Sequence, residues 1–582
     1  MPAPDWFRES FVGILLRGAF GPKLDFLKYP EEIEGQFPEQ YTKEYIERET
    51  AAREQEKEEN QRRQERGRQN SNSTAVDSGS QHSGEDNDNE KPRDADDEEK
   101  GKKDPYEGTR KDPNVVTWYS DIDPENPANW SLGKRCSVTA LICLLTFAVY
   151  IGSSIYSPGI PDIEQRWGIT QVPATLGLTA FVAGYGIGPM FLSPLSEIPA
   201  IGRNTIYIIC LIIFVCLQVP TALCGGLGAL IPLRFAAGFV GSPPLATGGA
   251  SIGDMFGPKK RAYPIAIWGC AAVCGPVLGP LLGGFAADAN GWRWTFWVLL
   301  WLSGGSLLIL AFFLPETSAE NILVKRARRL RKLTGNKDLK SEGEIEQSQM
   351  TVSQVAVMSL WRPFQLTFGE PIVFLLDLYI ALVYGILYIW FESFAIVFTE
   401  FYGFNLGEEG LAFMGILVMT IITTFGYFAY SYFYLEKKFD DEGNLRPVEL
   451  RLQAAMFASI WIPICLFWFG WTSRPRIHWI VPIIGSSFFS VGAFLLFQCV
   501  INYLGDAYPK YAASVYAGND FFRAAFGAGF PLIATPLFAN LGIGWGCSLL
   551  GFISVGMIPI PFVLYRYGGW LRKKSKYAKK HD

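Results

Sequence analysis

Long apolar runs separated by short polar clusters make up most of the chain beyond residue 135. The runs fall at 136–157, 172–194, 204–223, 228–253, 262–286, 294–314, 371–399, 410–432, 448–470, 478–503, 511–538 and 543–565. Each is long enough to cross a hydrocarbon core of about 30 Å as a helix. Backbone groups inside lipid must bond within their own segment, which makes helices of these runs and predicts an all-α membrane protein with twelve transmembrane helices. A charged stretch, 315–370, divides them into two six-helix halves, 136–314 and 371–565. Within it Ile322, Leu323, Ala327, Leu330 and Leu333 alternate at helical spacing with Lys325, Arg326, Arg328, Arg329, Arg331 and Lys332. That pattern predicts an amphipathic helix lying on the anionic inner leaflet of the bilayer.

Outside the halves the pattern changes. The opening segment, 1–48, begins MPAPDWFRESFVGILLRGAF, whose apolar positions are interrupted by Arg8, Glu9 and Arg17. It is expected not to be a signal peptide but a short helix, either held at the membrane interface by Trp6, Phe7, Phe11 and Leu15 or docked on the protein. Residues 49–115 hold hardly an apolar side chain and cannot bury enough surface to fold, so they are expected to be a disordered tail. A compact approach, 116–135, ends in Lys134 and Arg135 before the first run. Positive charge then alternates between loops. Arg203, the trio Lys259, Lys260 and Arg261, the 325–332 cluster, Lys437, Lys438, Lys510 and the tail residues 572–574 lie on one side. The other side carries only Arg166, Arg293, Arg474 and Arg476. The positive-inside rule places the first set and both termini, 566–582 included, in the cytoplasm.

Composition narrows the chemistry. Hydrophobic residues are 49%, aromatic 15% and charged 19% of 582 positions, and the charges cluster in the tail and linker, as in a membrane protein. Ten cysteines lack CxxC or zinc-like spacing, and only three histidines are present, so neither a metal site nor a histidine-dependent enzyme is expected. No GxxxxGK[ST] loop occurs, which argues against direct use of ATP. No cofactor or nucleic-acid partner is expected; the coupling ion is expected to be the proton.

Several stretches carry candidate function. Between Trp268 and Trp297, Gly275, Gly279 and Gly283 recur at i, i+4, with Pro276 and Pro280 in step and Gly284 adjoining. This gives the fifth span a bare face and prolines expected to bend it, placed to pack on a helix of the second half. At the end of the second span, Glu197, Gly202 and Arg203 form either an ion-pair gate, joined by Asp254, or a solvated turn. Arg234, in the fourth span, either tunes a nearby carboxylate or snorkels to the interface. Asp377 and Glu392 share the seventh span without an evident local partner, and one of them is expected to carry the proton. Asp520 and Arg523 stand at i, i+3, a spacing at which they pair. Tyr185, Tyr379, Tyr384, Tyr388, Phe391, Phe497, Gln498, Asn502 and Phe522 are expected to line a large cavity that binds flat hydrophobic or cationic compounds by stacking.

The runs RFAAGFVGSP at 234–243, GPVLGPLLGG followed by GWRWTFW, and PLSEIPAIGR at 194–203 together resemble the major facilitator superfamily, in particular its twelve-span fungal drug:proton antiporters. DPENPANW, TPLF at 535–538 and the SKY tail resemble the benomyl and azole resistance branch. The resemblance implies a gating loop at Glu197, Gly202 and Arg203, proton coupling through Arg234 with Gly238 beside it, and an antiporter motif from Gly275 to Gly284. Ser193 stands where the gating pattern begins with Gly, and the interval from Glu197 to Gly202 is longer than the family's. The expected protein is a monomeric plasma-membrane exporter of hydrophobic drugs driven by protons. An importer or polyamine exchanger of the same fold, and a receptor or scaffold without transport, remain open alternatives.

Overall fold

The computed structural model describes residues 5–20, 24, 27–33, 38–52, 55, 62, 112–348, 352–440, 445–575 and 577–578. They form two compact units. The larger holds Met1–Leu27, Ser120–Ile322 and Gln347–Asp582; the smaller holds Lys28–Tyr119 and Leu323–Glu346.

After a turn at Asp5–Arg8 and helix α1 (Phe11–Phe20), the first half of the larger unit runs α2 (Leu132–Ser154), α3 (Gln171–Glu197), α4 (Arg203–Leu223), α5 (Leu227–Gly241), α6 (Pro243–Met255), α7 (Ala262–Asn290) and α8 (Arg293–Phe313). Linker helix α9 (Ala319–Thr334) follows. The second half runs α10 (Pro371–Phe394), α11 (Leu406–Ala412), α12 (Met414–Tyr430), α13 (Gln453–Thr472), α14 (Ile480–Ala507), α15 (Ala512–Gly529), α16 (Pro531–Met557) and α17 (Pro559–Lys574).

Among the described residues, 11 helical runs are long and apolar enough to cross a membrane. The sequence suggests twelve, and the difference lies at the end of the chain. The expected 511–538 span is divided between α15, which Asn519, Asp520 and Arg523 make too polar to count, and the start of α16. The final run is 44 residues long, about twice what a bilayer requires, and is interrupted at Gly542, whose φ of 70° breaks the helical path. The fourth span is also broken, where Ser242 ends α5 and Pro243 opens α6.

Side chains satisfy several helix starts. Ser131 accepts from the Lys134 amide, and Asn405 and Glu408 form a reciprocal capping box on α11. Between helices, close backbone approach replaces the hydrophobic drive that lipid removes. A Cβ on Gly279 of α7 would overlap Ser154 Oγ and lie 2.8 Å from the Ile155 nitrogen, and one on Gly275 would lie 2.6 Å from Tyr150 Cβ. The bare face of α7 therefore seats on α2 of its own half, not on the second half as the spacing suggested. The other side of α7 meets the second half, because a Cβ on Gly410 of α11 would fall 2.8 Å from the Pro280 carbonyl oxygen. Both prolines are carried within one uninterrupted helix. In the second half, Phe394 stacks on Phe413 at 4.3 Å and on Phe469 at 5.2 Å, with Trp390 edge-on to Phe394 at 5.0 Å. Such pairs add about 0.5–1.5 kcal/mol each beyond burial. The N-terminal segment docks on the protein: Trp6 stacks on Phe313 of α8 at 4.9 Å.

In the smaller unit, strand β1 (Val115–Val116) pairs in parallel with β2 (Lys340–Ser341). Ala327 and Leu330 of α9 are fully buried with Tyr41, Ile46, Val116 and Leu339. Arg329 pairs with Glu31 at 2.8 Å and lies over the Tyr29 ring, Arg331 pairs with Glu344 at 2.8 Å, and Arg326 lies 4.0 Å from the Tyr119 ring centre. The chain itself thus covers Ala327 and Leu330, part of the stripe expected to face the leaflet, and engages these three cations, while Leu333 stays exposed. The tail expected to be disordered lies, apart from residues 49–52, 55, 62 and 112–115, outside the described residues.

Candidate functional site

The functional features lie along the line between the two halves. At the basic face, Arg203 opens α4 and Asp254 closes α6. The guanidinium grips the carboxylate with two nitrogens, Nη2 donating to Oδ1 at 3.2 Å and Nε lying 3.0 Å from Oδ2. Gly202, at φ 77°, turns the chain so that the free amides of Arg203 and Asn204 donate to Glu316 at 3.0 and 3.3 Å. A carboxylate at a helix N-terminus is stabilised by the amide dipoles. Any side chain at 202 would strike Glu316 and Asn321.

The second half repeats this arrangement. Arg451, just ahead of α13, donates to Asp506 at the end of α14 at 2.9 Å, as Arg203 does to Asp254. Asp506 also receives Arg261 of the first half, and Arg451 reaches back to the Pro258 carbonyl at 3.1 Å. Beside them Lys260 and Tyr263 both contact Glu436, at 2.8 and 2.5 Å. The halves are tied by charge at this face.

Between the halves lies a chamber of about 100 Å³ walled by Tyr150, Val273 and Val277 from the first half and Tyr384, Tyr388, Phe391, Phe489, Phe494, Phe497 and Arg523 from the second. A hydroxyl belt crosses the seam beside it, with Tyr185 within 3.3 Å of Tyr384 and 3.5 Å of Tyr388. Beyond the chamber a vestibule of about 640 Å³ opens away from the basic face, sharing Pro276, Tyr388 and Phe391 with the chamber wall. Its polar lining includes Glu164, Glu392, Glu400 and Glu409.

Behind the chamber sits a buried polar group. Asn519 donates to Asp377 at 2.9 Å, and Arg523 to Asp520 at 2.5 Å and to the Tyr150 hydroxyl at 3.4 Å. Asp377 thus has a partner from α15 that its own helix does not reveal. Glu392, on the same helix as Asp377, is not brought near it but faces the vestibule. Arg234 is corrected on both readings. It neither meets a carboxylate nor reaches the interface; it is fully buried, donates to the Gly177 carbonyl at 3.1 Å and lies 4.3 Å from the Phe181 ring centre. It lines neither cavity.

Of the expected cavity residues, Tyr384, Tyr388, Phe391 and Phe497 line the chamber. Tyr185 supports it from behind. Tyr379 is buried off the path, Gln498 donates to the Ile265 carbonyl at 3.4 Å, Asn502 donates to Gln498, and Phe522 packs on Phe368 and Phe374. Glu197 interacts electrostatically with Arg203 and Arg362 beside the Arg203–Asp254 pair. Of the antiporter-motif residues, Pro276 and Pro280 line the vestibule, Gly275, Gly279 and Gly283 contact α2 and the residue that follows it, and Gly284 meets Leu406. No local pattern singled out Glu164, Glu316, Glu409, Glu436, Arg451, Asp506 or Asn519, and Arg261 stood out as a cytoplasmic loop cation alone. One signal was available: Gly253-Asp254 and Gly505-Asp506 each precede an aromatic residue, a proline and a lysine, an echo between the halves that marks Asp506 as the counterpart of Asp254.

Residues 142–531 match the Major Facilitator Superfamily. The chain is 51% identical over 469 residues to "Transporter mfs1" of Schizosaccharomyces pombe, covering 80% of this chain and 88% of that one. It is 46% identical over 474 residues to "Cycloheximide resistance protein" of Candida maltosa, covering 80% and 86%. The solved structure of the proton:xylose symporter XylE is similar in fold, with a TM-score of 0.52 at 15% identity over 75% of this chain and 96% of that one.

Proposed function

This chain belongs to the Major Facilitator Superfamily, and from that premise we propose that it exports hydrophobic small molecules, neutral or cationic, in exchange for protons. It is a transporter rather than an enzyme. One observation carries the reading: an aromatic chamber and its vestibule lie between two halves that, among the described residues, ion pairs tie together on the opposite, basic face. A bundle shut on one side and open on the other is one state of alternating access. The positive-inside rule supports a cytoplasmic basic face and cytoplasmic termini, and the membrane proposed is the plasma membrane. In this state the substrate path opens outward.

Glu392 faces the open vestibule, where water reaches it, and takes the proton that drives the cycle. Asp377, sealed against Asn519, is a buried polar group, and the Asp520–Arg523 pair holds buried charge that rearranges as the halves rock. Arg261–Asp506 and Lys260–Glu436 form the inner gate across the seam, and Arg203–Asp254 braces the first half beside it. The name of the Candida maltosa relative supports cycloheximide-like hydrophobic toxicants as substrates. Expression of this chain in a host stripped of its own drug exporters should raise cycloheximide tolerance and lower the drug's cellular content. If the chain reaches the surface and neither changes, the reading fails.

A further inference from the structure

We propose that Arg523 sets the class of substrate, so that the chamber takes an uncharged aromatic ring bearing a hydrogen-bond acceptor and turns away a ring with a permanent positive charge. The proposal rests on the export reading and narrows it. Arg523 is 6% exposed and is the one charged residue lining the chamber among those described; no carboxylate lines it. Its guanidinium keeps its proton throughout the physiological range. Nη2 is committed to Asp520 and Nη1 to Tyr150, while Tyr384 and Phe497 flank it with ring centres 5.4 and 5.1 Å away. Nε has no hydrogen-bond partner, while Tyr384 and Tyr388, whose hydroxyls pair with Tyr185, line the same wall.

The guanidinium offers donors alone, whereas the hydroxyls beside it donate or accept, and the surround is apolar. An acceptor such as a carbonyl oxygen or a ring nitrogen satisfies one of these donors, and a buried donor left unmet is costly. A ring cation gains no such bond. It meets a like charge where water is too scarce to screen it, and the carboxylate that could balance it, Asp520, is held on Arg523. Of these two cavities, the outer vestibule is the one with carboxylates among its described lining residues, so a cationic tail is accommodated there while the inserted ring stays neutral. The chamber volume of about 100 Å³ suits one small ring, the rest of the molecule extending past Pro276, Tyr388 and Phe391.

The test compares a fluorescent styrylpyridine with its N-methylpyridinium counterpart, at a pH where the pyridine is neutral, by titration onto the purified full chain. The pyridine should bind at least about tenfold more tightly, as expected for gaining a hydrogen bond to a charged donor. In Asp520→Asn/Arg523→Gln, which removes both charges together, that preference should vanish. Equal binding of the two dyes by the unaltered chain overturns the proposal, and so does a preference that survives in the double variant. Should the double variant not fold, the comparison on the unaltered chain decides alone. Neutral preference without proton-driven export would sink the export reading and leave this proposal standing; export of both dyes without preference would do the reverse.

Discussion

Arg261 of the first half and Asp506 of the second form an ion pair across the seam on the basic face, and Arg451 holds the other oxygen of Asp506 at 2.9 Å. Removing one partner of such a buried pair costs about 3–5 kcal/mol. About 5.5 kcal/mol carries a two-state equilibrium from one extreme to the other. Asp506→Asn should therefore release the inner gate. Spin labels at Gly257 and Lys437, in a background without other cysteines, should show a longer-distance population that the parent lacks. Asp254→Asn, which breaks a pair inside the first half, should leave that distance unchanged. An unaltered distribution in Asp506→Asn would mean that this pair does not hold the halves together.

The glycines of the α7 region separate stability from transport. Gly279→Ala drives a methyl into Ser154 within one half, and overpacking of this kind costs about 1–3 kcal/mol. It should lower the melting temperature of the purified protein. Gly410→Ala drives a methyl against the Pro280 carbonyl and Leu281 backbone across the seam. It should leave yield and melting temperature close to the parent and cut export about tenfold, equivalent to a barrier change of about 1.4 kcal/mol. Wild-type export by Gly410→Ala would show that the seam tolerates separation.

Glu392 and Glu409 line one vestibule from adjacent segments, and Thr399 donates to Glu409 at 3.3 Å. Glu392→Gln should reduce gradient-driven export in proteoliposomes about tenfold, with Glu409 still able to exchange protons in its place. Glu392→Gln/Glu409→Gln should abolish it while substrate binding persists. Asp377→Asn, at a site closed off from the vestibule, should stay within about threefold of the parent. Full gradient-driven export by the double variant would exclude the vestibule carboxylates from coupling.

Much of this was legible in the chain. Apolar runs had to be helices because lipid offers the backbone no other partner, and the Asp520–Arg523 pair follows from i, i+3 spacing. Contacts between distant segments were not legible in the same way. Arg261 and Asp506 are 245 positions apart, and Glu316 caps α4 from 113 positions away, distances over which helical periodicity carries no information. In α7 small residues occupy more than one face, so spacing alone could not say which face meets α2 and which meets α11. The apolar stripe of α9 was correctly placed, but amphipathicity does not distinguish a lipid surface from Tyr41, Ile46 and Val116 as its cover.

The central claim is export driven by inward proton flow. Inside-out vesicles containing the chain, given an acidic interior and a fluorescent hydrophobic drug outside, present the cytoplasmic face to the drug. Drug should accumulate in the vesicles, and an uncoupler that collapses the gradient should stop it. Accumulation that ignores both gradient and uncoupler, or that runs only with the gradient reversed, would contradict proton-driven export.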